Sequence, residues 1–143
     1  MEPVNPRATR TAALFVVVVL GGVLFQLAHL YHFVGELAGG ATDLEELAGR
    51  AGNSPGMYVS VISWLLLLAT VLLPLVARGR GAAWTTFVIG IAIVVLPLYD
   101  GLHHGLGEGI WYFALLALGG IAVPGVWALA SAWRWATTPV DKA

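Results

Sequence analysis

Four apolar runs set what this chain can fold into: residues 11–33, 57–77, 83–103 and 110–133. Each is close to the roughly 20 residues that a helix needs to cross a hydrocarbon core. One loop of some size, residues 37–56, and two short polar links join them. Together they use almost all of the 143 residues, so no soluble catalytic domain has room to form. Composition agrees, since 59% of residues are hydrophobic and 10% are charged, with a mean hydropathy of +0.85. That leaves too little polar surface to clothe a water-soluble globule. The sequence predicts a single all-α integral membrane domain over 1–143. It is a four-helix transmembrane bundle with spans near 11–35, 57–77, 83–104 and 110–133.

The basic residues orient that bundle. Arg7, Arg10, Arg78, Arg80, Arg134 and Lys142 fall on one side of the layout and only Arg50 on the other. The positive-inside rule makes the first side cytoplasmic, with both termini there. Six of the eight acids, Glu36, Asp43, Glu45, Glu46, Asp100 and Glu108, then face outward together with all four histidines. Tyr31, Tyr58, Tyr99, Trp111 and Tyr112 gather at the outer edge, and Trp84, Trp133 and Trp135 at the inner one. Interfaces are where such amphipathic rings belong. A composition rich in Gly, Ala, Val and Arg but poor in Lys points to a high-GC bacterial genome, and so to the bacterial cytoplasmic (inner) membrane. The basic start of the chain also fits a signal peptide. The long apolar run and the lack of a small-x-small cleavage site favour a retained anchor.

Local signals fill in the rest. Residues 1–10 read as a polar, unstructured tail. Thr42-Asp43-Leu44-Glu45 is a capping-box pattern, which predicts a short amphipathic helix in the first outer loop, stopped by Gly49, Gly52, Asn53 and Pro55. The brief link from Arg78 to Ala82 makes the second and third spans antiparallel neighbours. Gly21-Gly22 and Gly119-Gly120 lie near mid-membrane, where small residues let helices approach closely. Pro74, Pro97 and Pro124 are tolerable there with a kink, and Pro97 stands one turn before Asp100.

The chemistry is concentrated at two places. Leu30-Tyr31-His32-Phe33-Val34-Gly35-Glu36 returns 72 positions later as Leu102-His103-His104-Gly105-Leu106-Gly107-Glu108, both reading Leu-x-His-x-x-Gly-Glu. At helical spacing Gln26, His29, His32 and Glu36 form one polar stripe at the end of the first span. Asp100, His103, His104 and Glu108 form another at the end of the third, provided that Gly101, Gly105 and Gly107 do not break the helix first. Both spans cross in the same direction, so the stripes end at one depth and a pseudo-twofold axis would bring them face to face. Ionisable groups near hydrocarbon cost free energy and ask for a reason. Solvation among the headgroups is the plainest one.

A metal site is the sharpest alternative. Imidazoles with carboxylates suit Zn, Fe, Cu or Mn. The two His-x-x-x-Glu pairs make His32, Glu36, His104 and Glu108 the core ligands, with His29, His103, Asp100 and, nearby, Gln26 in support. A b-type haem between histidines of the first and third spans is a second form of the same idea. No matching inner pair exists for two stacked haems. A third class needs no cofactor: an accessory subunit of a larger membrane complex, a self-associating protein, or a proton-linked carrier. The absence of cysteine removes disulfides, iron–sulfur clusters, covalent c-type haem and thiol nucleophiles. No Walker loop, nucleotide-binding glycine pattern, Gly-x-Ser-x-Gly or zinc-protease motif occurs. The few basic residues lie too close to the bilayer to bind nucleic acid.

Overall fold

The computed structural model describes residues 5–40, 55–77 and 79–138, with the backbone alone for 55–60. The described residues are helical throughout apart from caps and links. Helix α1 spans Pro6–Ala38, α2 Pro55–Val76, α3 Arg80–Gly107 and α4 Trp111–Thr137. Three of them, α1, α3 and α4, are long and apolar enough to cross a membrane, and α2 carries a shorter apolar stretch, Val61–Val76. The short helix expected near 42–48 lies outside the described residues.

α1 begins earlier than the polarity of residues 1–10 implies. Asn5 caps it, its side-chain oxygen accepting from the Arg7 amide at 3.0 Å, and Pro6 takes the first turn, where its missing N–H costs nothing. Its 33 residues make about 50 Å of helix, well beyond a hydrocarbon core of roughly 30 Å.

The helices form a ring. α1 packs on α2 and α4, and α3 packs on the same two, so α1 and α3 face each other across the diagonal. Close approach is built on small residues. A Cβ added to Gly21 of α1 would lie 1.9 Å from the Gly120 carbonyl oxygen of α4, so the two backbones touch where the paired glycines predict. Gly101 and Gly105 of α3 sit against Ala117 and Ala114 of α4, where an added Cβ would come within 2.4 Å of each. These glycines leave the third helix intact and seat α4 against it. Phe15, Val18, Phe25, Leu67, Ile93, Phe113 and Ile121 fill the interior. The buried hydroxyls of Thr11, Thr70 and Thr86 are satisfied by carbonyls of their own helices.

The outward faces are as apolar as the core. In the most apolar window of each long helix, 33% of α1, 28% of α3 and 39% of α4 is buried, so most of that surface has no protein to cover it. A helix hydrophobic all round belongs inside a larger assembly or in lipid.

Two stretches widen into i→i+5 hydrogen bonding, His103–Gly107 at the end of α3 and Leu116–Ala122 within α4. The second leads into Pro124. That residue has no N–H to offer, and its ring would press on a carbonyl one turn back, so a wider turn upstream relieves both. The first carries two of the histidines. After it Gly109, at φ 76°, turns the chain in a conformation that other residues rarely adopt.

Candidate metal centre

The polar ends of α1 and α3 do meet. His29 Nε2 lies 3.4 Å from Asp100 Oδ2, and His104 Nε2 lies 3.5 Å from Asp100 Oδ1. The carboxylate of α3 thus stands between an imidazole of α1 and one of its own helix. The two rings are edge-on with centroids 5.5 Å apart. Among the described residues His29, Asp100 and His104 form one set of three whose ligand atoms all lie within 4.8 Å of one another. Their side chains are 30–47% exposed, open to the end of the bundle and not sealed inside it.

The other predicted positions flank this centre. His104 Nδ1 donates to the Glu108 carboxylate at 2.7 Å. His32 and Glu36 pair with each other at 3.4 Å on the outermost turns of α1. His103 is exposed and its ring lies parallel to that of Tyr99, with centroids 6.3 Å apart. Gln26 lines a narrow cavity beside Ser63, Trp64 and Pro97, below the histidines. Hence the three-residue group draws on His104 from the expected core set, and on His29 and Asp100 from the expected supporting set.

Hydrogen bonding fixes which ring nitrogens face the centre. The Phe25 carbonyl, 3.1 Å from His29 Nδ1, can only accept, so Nδ1 carries the proton. In a neutral ring that leaves the Nε2 lone pair directed at Asp100. His104 repeats the pattern with Glu108 as the acceptor. The Glu108 carboxyl, beyond the end of α3, is held below the usual carboxylate range, first by the His104 hydrogen bond against a smaller desolvation effect. Charge on His104, His103 and His32 adds to the lowering. Two nitrogen lone pairs and two carboxylate oxygens therefore converge with no hydrogen between neutral partners. Such a set is able to hold a cation, whether protons on the rings or a metal ion.

Charge-assisted N–H···O bonds run about 2.7–2.9 Å. Separations of 3.4 and 3.5 Å are longer than that, and each ring faces a different oxygen of Asp100. The secondary hydrogen bonds from each Nδ1 to an oxygen are the kind that orient metal-binding histidines.

Phe113, at the start of α4, is the participant that the sequence does not announce. Buried to 1% exposure, its ring packs on His29 at 4.2 Å, His104 at 5.6 Å and His32 at 5.9 Å. It forms an apolar floor that limits how the imidazoles turn. The only sequence signal for it is an aromatic residue one turn into a span whose start lies level with the histidines.

Compared with protein-family models, with curated proteins and with solved structures, the chain matches none of them. What the geometry defines is a class: a chain whose described residues are helical, with three helices of membrane-spanning length and a His/Asp cluster able to hold a metal ion.

Proposed function

We propose that this protein is a four-span protein of the bacterial inner membrane, with both termini in the cytoplasm, that binds a divalent transition metal at its outer end. His29 Nε2, His104 Nε2 and Asp100 supply the protein ligands. Glu108 and the Phe25 carbonyl orient the two rings, and Phe113 backs them. His32, Glu36 and His103 line the approach. The single observation that carries this reading is the convergence of two imidazole nitrogens on one carboxylate at 3.4 and 3.5 Å, each ring having its other nitrogen engaged as a donor.

Zinc, iron, copper and manganese all accept such donors, and three protein ligands leave a position for water or an incoming group. A metal bound there would act as a Lewis acid. The residues position it, with Asp100 balancing part of its charge. A haem suits the site poorly, because Asp100 reaches both rings and Phe113 closes beneath them, leaving no slot for a macrocycle between His29 and His104.

The test is elemental analysis of protein purified in detergent without chelator, followed by cobalt(II) substitution. One retained equivalent of metal is expected, with the visible absorption of a four-coordinate cobalt centre. The His29→Ala/His104→Ala double variant should insert normally and retain none. Undiminished metal in that variant, or none in the parent protein at saturating zinc, overturns the proposal. In the second case, protons on the two imidazoles would satisfy the same geometry and make the cluster a proton-relay group.

A further inference from the structure

At the opposite end of the bundle a groove runs between α1 and α4. Arg7, Arg10 and Leu14 line it from α1, at i, i+3 and i+7, and Trp127, Ala130, Ser131 and Arg134 from α4, at i, i+3, i+4 and i+7. Each set is therefore one face of its helix. The cavity between them is about 560 Å³, within the range of small-molecule sites. Thr11 and Ser131, their hydroxyls 2.9 Å apart, tie the two helices together at this level. Among the described residues no carboxylate pairs with Arg7, Arg10 or Arg134, whereas Glu36, Asp100 and Glu108 at the other end each pair with a histidine.

Charge is segregated along the groove. The three guanidinium groups come from the terminal turns of the two helices, while Leu14 and Trp127 lie one to two turns deeper, Trp127 with 64% of its surface exposed. An inorganic anion would need the arginines alone. An amphiphile would use both ends, its head group on the arginines and its chain along Leu14 and the Trp127 ring. We infer that this groove is a binding site for an anionic phospholipid, with the phosphate held by Arg7, Arg10 and Arg134. Guanidinium is suited to it, since its planar fork pairs two N–H groups with two phosphate oxygens. Basic pockets between helices at the cytoplasmic surface recognise lipid head groups by this chemistry. The inference is independent of the metal centre and rests on the placement of the arginine end at the head groups of a bilayer.

The experiment reconstitutes the full chain in phosphatidylcholine nanodiscs with and without phosphatidylglycerol. Lipid that remains bound after extraction is then counted by native mass spectrometry. Retained phosphatidylglycerol in preference to phosphatidylcholine is expected. Arg10→Gln and Arg134→Gln should each weaken retention about fivefold. Ala130→Phe, which fills the groove and leaves every charge in place, should weaken it as well. Arg80→Gln, an arginine of the same end outside the groove, should leave it unchanged. Three results overturn the proposal: no preference between the lipids, equal loss in Arg80→Gln, or full displacement by inorganic phosphate with no effect of Ala130→Phe. The last would mark a small-anion site.

Discussion

Two single substitutions, His29→Ala and His32→Ala, test which imidazole of α1 serves the proposed centre. His29→Ala removes a nitrogen that faces Asp100 at 3.4 Å. His32→Ala removes one that faces Glu36 on the outer turn. Structural zinc sites gain about 10–16 kcal/mol from four ligands, so one ligand is worth roughly 2.5–4 kcal/mol, or about 70- to 900-fold in affinity. For His29→Ala the expected loss is of that order, since the Asp100 carboxylate keeps only the His104 partner. For His32→Ala it is within about threefold, a change in approach and local charge with no ligand lost. Zinc affinity is measured by competition with a chromophoric chelator in detergent micelles, at one pH and ionic strength. Both rings pack on Phe113, so the unfolding midpoints of the metal-free variants are recorded alongside to separate lost packing from lost coordination. A loss in His32→Ala equal to or larger than that in His29→Ala, with similar metal-free stabilities, would refute the ligand assignment and restore His32 to the core set.

Further outcomes follow from the same structure. Glu108→Gln takes the charge from the group that orients His104 and should lower metal affinity about 10- to 100-fold in the same competition assay. Because the Glu108 carboxyl titrates below its ordinary value, the stability that its pair with His104 contributes is fully present above the ordinary carboxylate range. It is lost as pH falls through the lowered value, and a metal-free unfolding series from neutral to acid pH should show that loss in the parent and not in Glu108→Gln. Gly21→Leu places a side chain where the Gly120 backbone already sits. It should cost at least about 1–3 kcal/mol in a reversible mixed-micelle unfolding assay, because a backbone atom cannot rotate away. Ser131→Ala should cost only about 0.6 kcal/mol in that assay, the average for hydrogen bonds between membrane helices, since the Thr11 hydroxyl keeps its bond to the Arg7 carbonyl.

Why the helices were legible and the His29–Asp100–His104 grouping was not comes down to what periodicity encodes. A run such as Val16-Val17-Val18-Val19-Leu20 fixes that a helix is apolar all round, and helical order follows from it. That helices approach closely at Gly21 and Gly120 was readable too, from small residues inside long apolar runs, although not that these two meet each other. Periodicity also places His29, His32 and Glu36 on one arc of α1. It does not give the rotation of that arc toward α3. His29 and His32 differ by three positions, so a modest rotation of α1 decides which of them meets Asp100. The packing that sets the rotation is distributed over Phe15, Phe25, Gly21, Gly101 and Gly120, none of which belongs to the repeat. Spacing within one helix favours His32 with Glu36 and His104 with Glu108, and both pairs form. Yet a pair satisfied inside its own helix has less need of anything across the bundle. Asp100 is the residue with a foot in both helices: its oxygens reach one imidazole each way. Moving the carboxylate one position along α3 would turn it about 100° from that gap. The repeat, which omits Asp100 and His29, is thus a feature of the helix ends, whereas the proposed centre depends on how those ends are turned toward each other.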